Sequence, residues 1–186
     1  MSFITKIAAV CALSREAQEF IQTHTKTFEF KKGELVLESG NPCEFIYSIT
    51  KGMMRGYYFN EAKEITNWIA NEEDFGTSFY SFISQQNSYE TIEALENTIT
   101  EALSKKDLDT LYRNFPETEQ AGRLLLENYY LRLEERVIYI QFKTAKERYD
   151  HFYETRRDIL KRAPLGCIAS YLGITQETLS RIRAER

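Results

Sequence analysis

Residues Pro164–Arg186 read PLGCIASYLGITQETLSRIRAER, and the spacing inside this stretch decides how the rest of the chain is read. Ile168, Leu172, Ile174, Leu179 and Ile182 are apolar at offsets that let two short helices share one small core. Ala169, next to Ile168, leaves room for a second helix to cross closely. Gly173 falls between the two periodic runs, where the chain must reverse and a left-handed backbone costs glycine nothing. Thr175 precedes a polar, helix-forming run and suits the N-cap of a second helix that starts at Gln176. With Thr175 and Thr178 at its start, that helix turns Gln176, Glu177, Ser180, Arg181 and Arg183 outward. These side-chain types hydrogen-bond base edges and phosphates. The pattern predicts a helix-turn-helix that binds double-stranded DNA. Its rival is a helical hairpin that only packs the domain.

Charge is distributed to match. The whole chain of 186 residues carries a formal charge of −4, which alone speaks against a nucleic-acid partner. From Lys143 to Arg186, however, ten Lys and Arg face six Asp and Glu, a net of +4 that leaves −8 on residues 1–142. A basic end on an acidic body fits a DNA reader whose other part meets no phosphate.

The run IASYLGITQETLSRIR, residues 168–183, resembles the DNA-binding end of the Crp/Fnr regulators, the superfamily of the cyclic-AMP receptor protein. Its most specific part is Glu177-Thr178 followed three residues later by Arg181. By that resemblance Gln176, Glu177 and Arg181 contact bases. Gln176 stands where several members have arginine, so the preferred site differs from theirs.

Upstream, Ser14 caps a helix over SREAQEFIQTHT with Ala17, Phe20 and Ile21 as its apolar stripe. The opening MSFITKIAAVCALSREAQEF reads as an amphipathic entry helix, because one lysine and no small-residue cleavage site make a poor signal peptide. The period then becomes two. Phe28 and Phe30, Leu35 and Leu37, EFIYSITKGMMRGYYFN with Lys51-Gly52 as a hairpin turn, Ile65 with Trp68 and Ile69, YETIEAL and TITEALS give short strands, as in a small β-barrel or roll. The order resembles the family's cyclic-nucleotide-binding β-roll, with Gly33, Gly40, Gly52 and Gly76 at its corners.

In members that bind cyclic nucleotides, a glycine-glutamate pair and, about ten residues on, an arginine hold the ribose and phosphate. Here Gly76 is followed by Thr77, the arginine slot falls at Ser88 or Tyr89, and no Arg or Lys occurs between Lys63 and Lys105. An anionic phosphate would lack its main counter-charge. No cofactor is therefore predicted, and a cyclic nucleotide is not expected. Trp68, Phe75, Gly76, Thr77, Ser78, Phe79, Ser88 and Tyr89, with the nearby Tyr80 and Phe82 rings, are candidates for the pocket of a less charged effector; the competing reading is that the rings fill the roll.

Leu108–Phe115 closes the roll, and Pro116 opens a helix running from Glu117 to about Thr144. Leu126, Tyr130, Leu133, Val137 and Ile140 step by four and three as a heptad seam for dimerisation. Leu124, Leu131 and Ile138 step by seven on nearly the opposite side. A helix apolar on two sides has to bury both, one on its own roll and one on a partner. In TAKERYDHFYETRRDILKRAP, Ala145, Tyr149, Phe152, Ile159 and Leu160 pack, while Arg156, Arg157, Lys161 and Arg162 form a solvated basic stretch with some charges near phosphates. No β-wing is expected after the second helix.

Cys11, Cys43 and Cys167 are scattered and read as buried reduced thiols, too few for an iron–sulfur sensor. His24 and His151 are too far apart in sequence to suggest a metal site, and no nucleophile–base pair stands out, so an enzyme is not expected. No apolar run approaches the eighteen residues of a membrane span, which points to the cytoplasm.

The expectation is an α+β chain. It has an N-terminal double-stranded β-helix (jelly-roll) domain of the cyclic-nucleotide-binding type over 1–116, a dimerisation helix over 117–144 and a helix-turn-helix domain over 145–186. The partners expected are DNA as a near-palindromic site, a second copy, an unknown small-molecule effector and RNA polymerase, with no membrane. The alternative is a ligand-binding or protein-interaction module of the same fold that no longer binds DNA.

Overall fold

The computed structural model describes residues 1–61 and 63–185. Arg186, the last residue of the helix-turn-helix stretch, lies outside them. Two short helices come first: α1 (Phe3–Ala8), capped by Ser2, and α2 (Arg15–His24), whose cap Ser14 accepts the Ala17 N–H at 3.3 Å. The entry segment is thus a helical pair. Ala17 and Ile21 are buried as their spacing predicts, beside Phe3 and Ile7 of α1. Lys6 is buried among them and donates to the Ile49 carbonyl at 3.0 Å. Burial pulls its ammonium down to about 8.

Among the described residues, eight strands form two four-stranded antiparallel sheets. One holds β1 (Lys26–Phe30), β8 (Thr98–Ser104), β3 (Phe45–Lys51) and β6 (Phe75–Gly76); the other holds β2 (Leu35–Leu37), β7 (Thr91–Ala94), β4 (Met54–Asn60) and β5 (Lys63–Ala70). Ile49, Met54, Ala70 and Ile92 are buried between the sheets, with Phe30, Val36, Leu37 and Trp68 against them. The alternation of two that marks the strands therefore does fill a roll.

Lys51-Gly52 is not a hairpin turn. β3 and β4 belong to different sheets, so Gly52 (φ +101°) carries the chain across the corner of the roll. A Cβ there would sit 2.5 Å from the Thr98 Oγ1. Nearness in sequence shows that the chain reverses, not which edge it joins. Gly76 makes no corner either: it lies in β6 opposite Tyr47.

α3 (Phe79–Ser84) sits between β6 and β7, and α4 (Lys105–Asn114) closes the roll. α5 (Pro116–Phe142) then runs for 27 residues with Pro116 in its first turn. Its packing corrects the two-sided expectation. The side that meets the rest of the chain carries Thr118, Ala121, Leu125, Tyr129 and Arg136. Most of both apolar stripes remains uncovered: Val137 is 44% exposed on the seam and Leu131 60% on the other, where Leu124 alone is half-buried. Helical periodicity shows which sides are apolar, but a half-polar side wins the contact because hydrogen bonds hold its lower part.

The remaining helices form a head: α6 (Ala145–Thr155), α7 (Arg157–Arg162), α8 (Leu165–Tyr171) and α9 (Gln176–Ala184). Thr144 and Glu147 form a capping box at the start of α6. Tyr149, Phe152, Ile159, Ile168, Leu172, Leu179 and Ile182 make the head's core, and Met53, Ile69 and Leu95 of the roll are buried in the same cluster. Those three side chains dock the head, each worth roughly 1.5–3 kcal/mol if fully buried. Polar contacts reinforce the joint. Arg156 pairs with Asp74, Arg162 with Glu72 at 2.7 Å and with Glu96, and Asn71 with Asp158. The basic stretch is accordingly not all solvated, since Arg156 and Arg162 are committed to the roll. All three cysteines are free, with Cys43 and Cys167 buried and Cys11 half-buried. No helix among the described residues is long and apolar enough to cross a membrane.

Candidate nucleic-acid interface and the roll interior

The reversal between α8 and α9 follows the local sequence. Leu172 ends α8, its N–H bonded to the Ile168 carbonyl at 2.9 Å. Gly173 takes φ +66°, and the Ile174 N–H returns to the Ala169 carbonyl at 3.0 Å. Thr175 then accepts the Thr178 N–H at 3.2 Å on its Oγ1, capping α9. Cys167, Ile168 and Ala169 on α8 face Leu179 and Ile182 on α9, all buried.

What remains outside is the expected set. Gln176, Glu177, Ser180, Arg181 and Arg183 are exposed, Thr175 is exposed at the cap, and Thr178 is half-buried beside it. Glu177 is held below the usual carboxylate range by its own backbone N–H and by the Thr175 hydroxyl. Gln176 lies over α8: a Cβ on Gly166 would sit 2.6 Å from its Nε2. That approach was not legible in the sequence, where Gly166 had no assigned use.

The candidate effector residues do not form one pocket. Trp68, Gly76, Ser78 and Ser88 lie in the roll. The indole fills the space beside two glycines: a Cβ would come 2.3 Å from it at Gly56 and 3.4 Å at Gly76. Thr77, in the family's glutamate position, donates to the Phe45 carbonyl at 2.9 Å. The hydroxyl of Ser88, which with Tyr89 is a candidate for the arginine slot, lies 2.9 Å from the Ser78 hydroxyl and 2.8 Å from the Glu90 carbonyl, within hydrogen-bond reach of both. Phe75 and Phe79 instead line an outer cavity of about 640 Å³ between the roll and α5, where the Phe79 ring lies tilted against Tyr129, 4.1 Å between centres. Tyr89 is 66% exposed, against Tyr80.

Sequence reasoning missed Glu90. Its carboxylate is buried two residues from the arginine slot and accepts the Trp68 Nε1–H at 3.0 Å and the Asn67 amide at 3.4 Å. Burial raises its pKa, against the hydrogen bonds from Asn67, Ser78 and Trp68. The roll interior beside Trp68 thus holds a buried carboxylate. No local pattern marks Glu90, because its contact with Trp68 forms only when β5 and the segment before β7 are packed together. Among the described residues no group of three metal-ligating side chains comes together.

Residues 27–115 match the family model of the cyclic nucleotide-binding domain. The structure resembles that of FixK2 from Bradyrhizobium japonicum, with a TM-score of 0.75 at 19% identity, covering 87% of this chain and 83% of that one. The two chains share a fold. A Crp/Fnr-family transcriptional regulator from Eubacterium rectale gives a TM-score of 0.71 at 19% identity over 93% of this chain and 83% of its own. In sequence the chain is similar to Electron transport regulator A of Shewanella oneidensis, 25% identical over 165 residues, 82% of this chain. It spans 65% of that relative's length.

Proposed function

We propose that this Crp/Fnr-type chain is a DNA-binding transcription regulator that acts as a dimer and is not gated by cyclic nucleotides. The observation that carries the reading is α9, which buries Leu179 and Ile182 while Gln176, Glu177, Ser180, Arg181 and Arg183 stay exposed on a capped, glycine-turned helix. Arginine and glutamine reach base edges in the major groove, and the Thr175 and Ser180 hydroxyls suit phosphates. The exposed seam Leu126, Tyr130, Leu133, Val137 and Ile140 is suited to bring two heads onto one near-palindromic site. Buried Glu90, with Ser88 in the arginine slot, supports the exclusion of a cyclic phosphate, because like charge and lost hydration both oppose it.

The test is binding to duplexes selected from a random pool, against scrambled duplex at fixed salt. Selected duplex should bind at least tenfold tighter, Arg181→Ala should remove that preference, and cyclic AMP should change neither. Equal preference in the variant would assign DNA reading elsewhere. A cyclic-AMP effect on affinity would overturn the reading of the roll.

A further inference from the structure

A second cavity, of about 330 Å³, opens where α5 passes the head, between α5, α6 and the end of α8. Arg132, Arg136, Arg148 and Arg156 stand on its wall, with Glu135 the single acidic residue lining it among the described residues. Asp74 takes both Arg132 and Arg156, and Glu135 lies 3.6 Å from His151. Arg136 and Arg148 are left with no carboxylate among the described residues. Arg136 donates from Nη2 to the carbonyls of Thr66 at 3.2 Å and Tyr171 at 3.3 Å, and from Nη1 to the Asn67 Oδ1 at 3.5 Å. Arg148 donates from Nη1 to the Ile140 carbonyl at 3.3 Å. The Nε of each is buried without a hydrogen-bond partner. Carbonyl oxygens satisfy N–H groups but do not neutralise a charge, and burial draws the Arg136 pKa down.

We propose that this cavity is a binding site for a small phosphorylated molecule whose phosphate is taken by Arg136 and Arg148. A guanidinium presents a flat fork of donors that matches phosphate oxygens, and one anion between two forks supplies the counter-charge both lack. The volume falls in the range of small-molecule sites. The walls also carry aromatic rings: Tyr171, with the Arg136 guanidinium 4.8 Å from its ring centre, and Tyr139, tilted by 35° against His151 at 4.4 Å between ring centres. The charges line a recess instead of the convex face of α9, which favours a small molecule over a duplex. The site is the electrostatic reverse of the roll interior, and its binding does not depend on whether α9 reads DNA. Arg136 belongs to α5 and already touches the roll at Thr66 and the head at Tyr171. An occupant there would bear on all three.

The experiment is calorimetric titration of the full chain with inorganic pyrophosphate and with adenosine 5′-monophosphate. Saturable binding of at least one is expected, weakened tenfold or more in Arg136→Gln and in Arg148→Gln. The second variant gives up only one long hydrogen bond, so it keeps the test valid if the first unfolds. Lys161→Gln, an exposed change on α7, should leave binding unaltered. No saturable binding of either probe at millimolar concentration overturns the proposal, and so does equal weakening by Lys161→Gln. Displacement of the probe by duplex of any sequence, with DNA affinity lost in Arg148→Gln, would assign these arginines to the DNA backbone and overturn it as well.

Discussion

Ser170 of the head occupies the open edge of the roll's strand β5: its hydroxyl accepts the Thr66 N–H at 2.8 Å and donates to the Glu64 carbonyl at 3.1 Å. One side chain thereby satisfies a donor and an acceptor that an edge strand would otherwise leave to water or to another chain. Ser170→Ala should cost about 1–2 kcal/mol, since the amide of buried Thr66 loses its partner. Urea unfolding reads the loss, and amide exchange should accelerate at Thr66 before it does in α9. Unchanged exchange at Thr66 would mean that the head does not rest on this edge in solution.

The outer rim of the same joint has a pH signature. Arg162 hydrogen-bonds the Glu72 carboxylate, and the Gly52 N–H adds a bond at 2.8 Å. Together, with the Arg162 contact the larger cause, they lower the Glu72 pKa from 4.5 to about 2. A depressed folded pKa stabilises above the unfolded value, and that stabilisation is lost as pH falls from there through about 2. Solvent reaches both side chains, so the contribution is at most about 1 kcal/mol. Glu72→Gln should flatten the acid limb of the stability curve in this window, and an identical limb would place the loss at other carboxylates.

Glu90 behaves with the opposite sign. Its folded pKa is raised, so its favourable contribution is complete below the unfolded value and disappears as pH rises through the folded one. At neutral pH the buried carboxylate is a cost, which glutamine removes while keeping an acceptor for the Trp68 Nε1–H. Glu90→Gln should raise the thermal midpoint at pH 7 and lose that advantage in acid. A lower midpoint at pH 7 would show that the ionised form is required.

The exposed seam gives a direct test of association. Val137 lies on it, 44% exposed and away from the side that meets the roll. Val137→Glu should convert a dimer to a monomer, as measured by light scattering, with the monomer's stability changed by less than about 0.5 kcal/mol. Leu131→Glu, on the other stripe, should leave the dimer intact. The reverse pattern would move the interface to that second stripe.

Much of the local structure was legible because the cause and the effect lie within a few residues. Ser14 and Thr175 cap their helices, Pro116 opens α5, Gly173 turns the chain, and the outer face of α9 carries the side chains assigned to it. Alternation also marked β5, β7 and β8 correctly. Each of these depends on one turn of helix or one pleat, and the order of the residues contains that information.

The tertiary structure decided which surfaces meet. A corner at Gly52 and a hairpin have the same sequence signature, and only the choice of sheet separates them. Two apolar stripes on α5 called for two partners, yet the roll takes a third side through Tyr129 and Arg136, because hydrogen bonds to Thr66 and Tyr171 fix the helix there. Glu90 reaches Trp68, and Arg136 and Arg148 share one cavity wall, only after strands and helices far apart in sequence are packed together. Sequence by itself determined the elements and the polar outer face of α9. Long-range packing determined where its charges are buried and which of them lack a partner, since burial and pairing belong to the assembled fold and not to any single stretch.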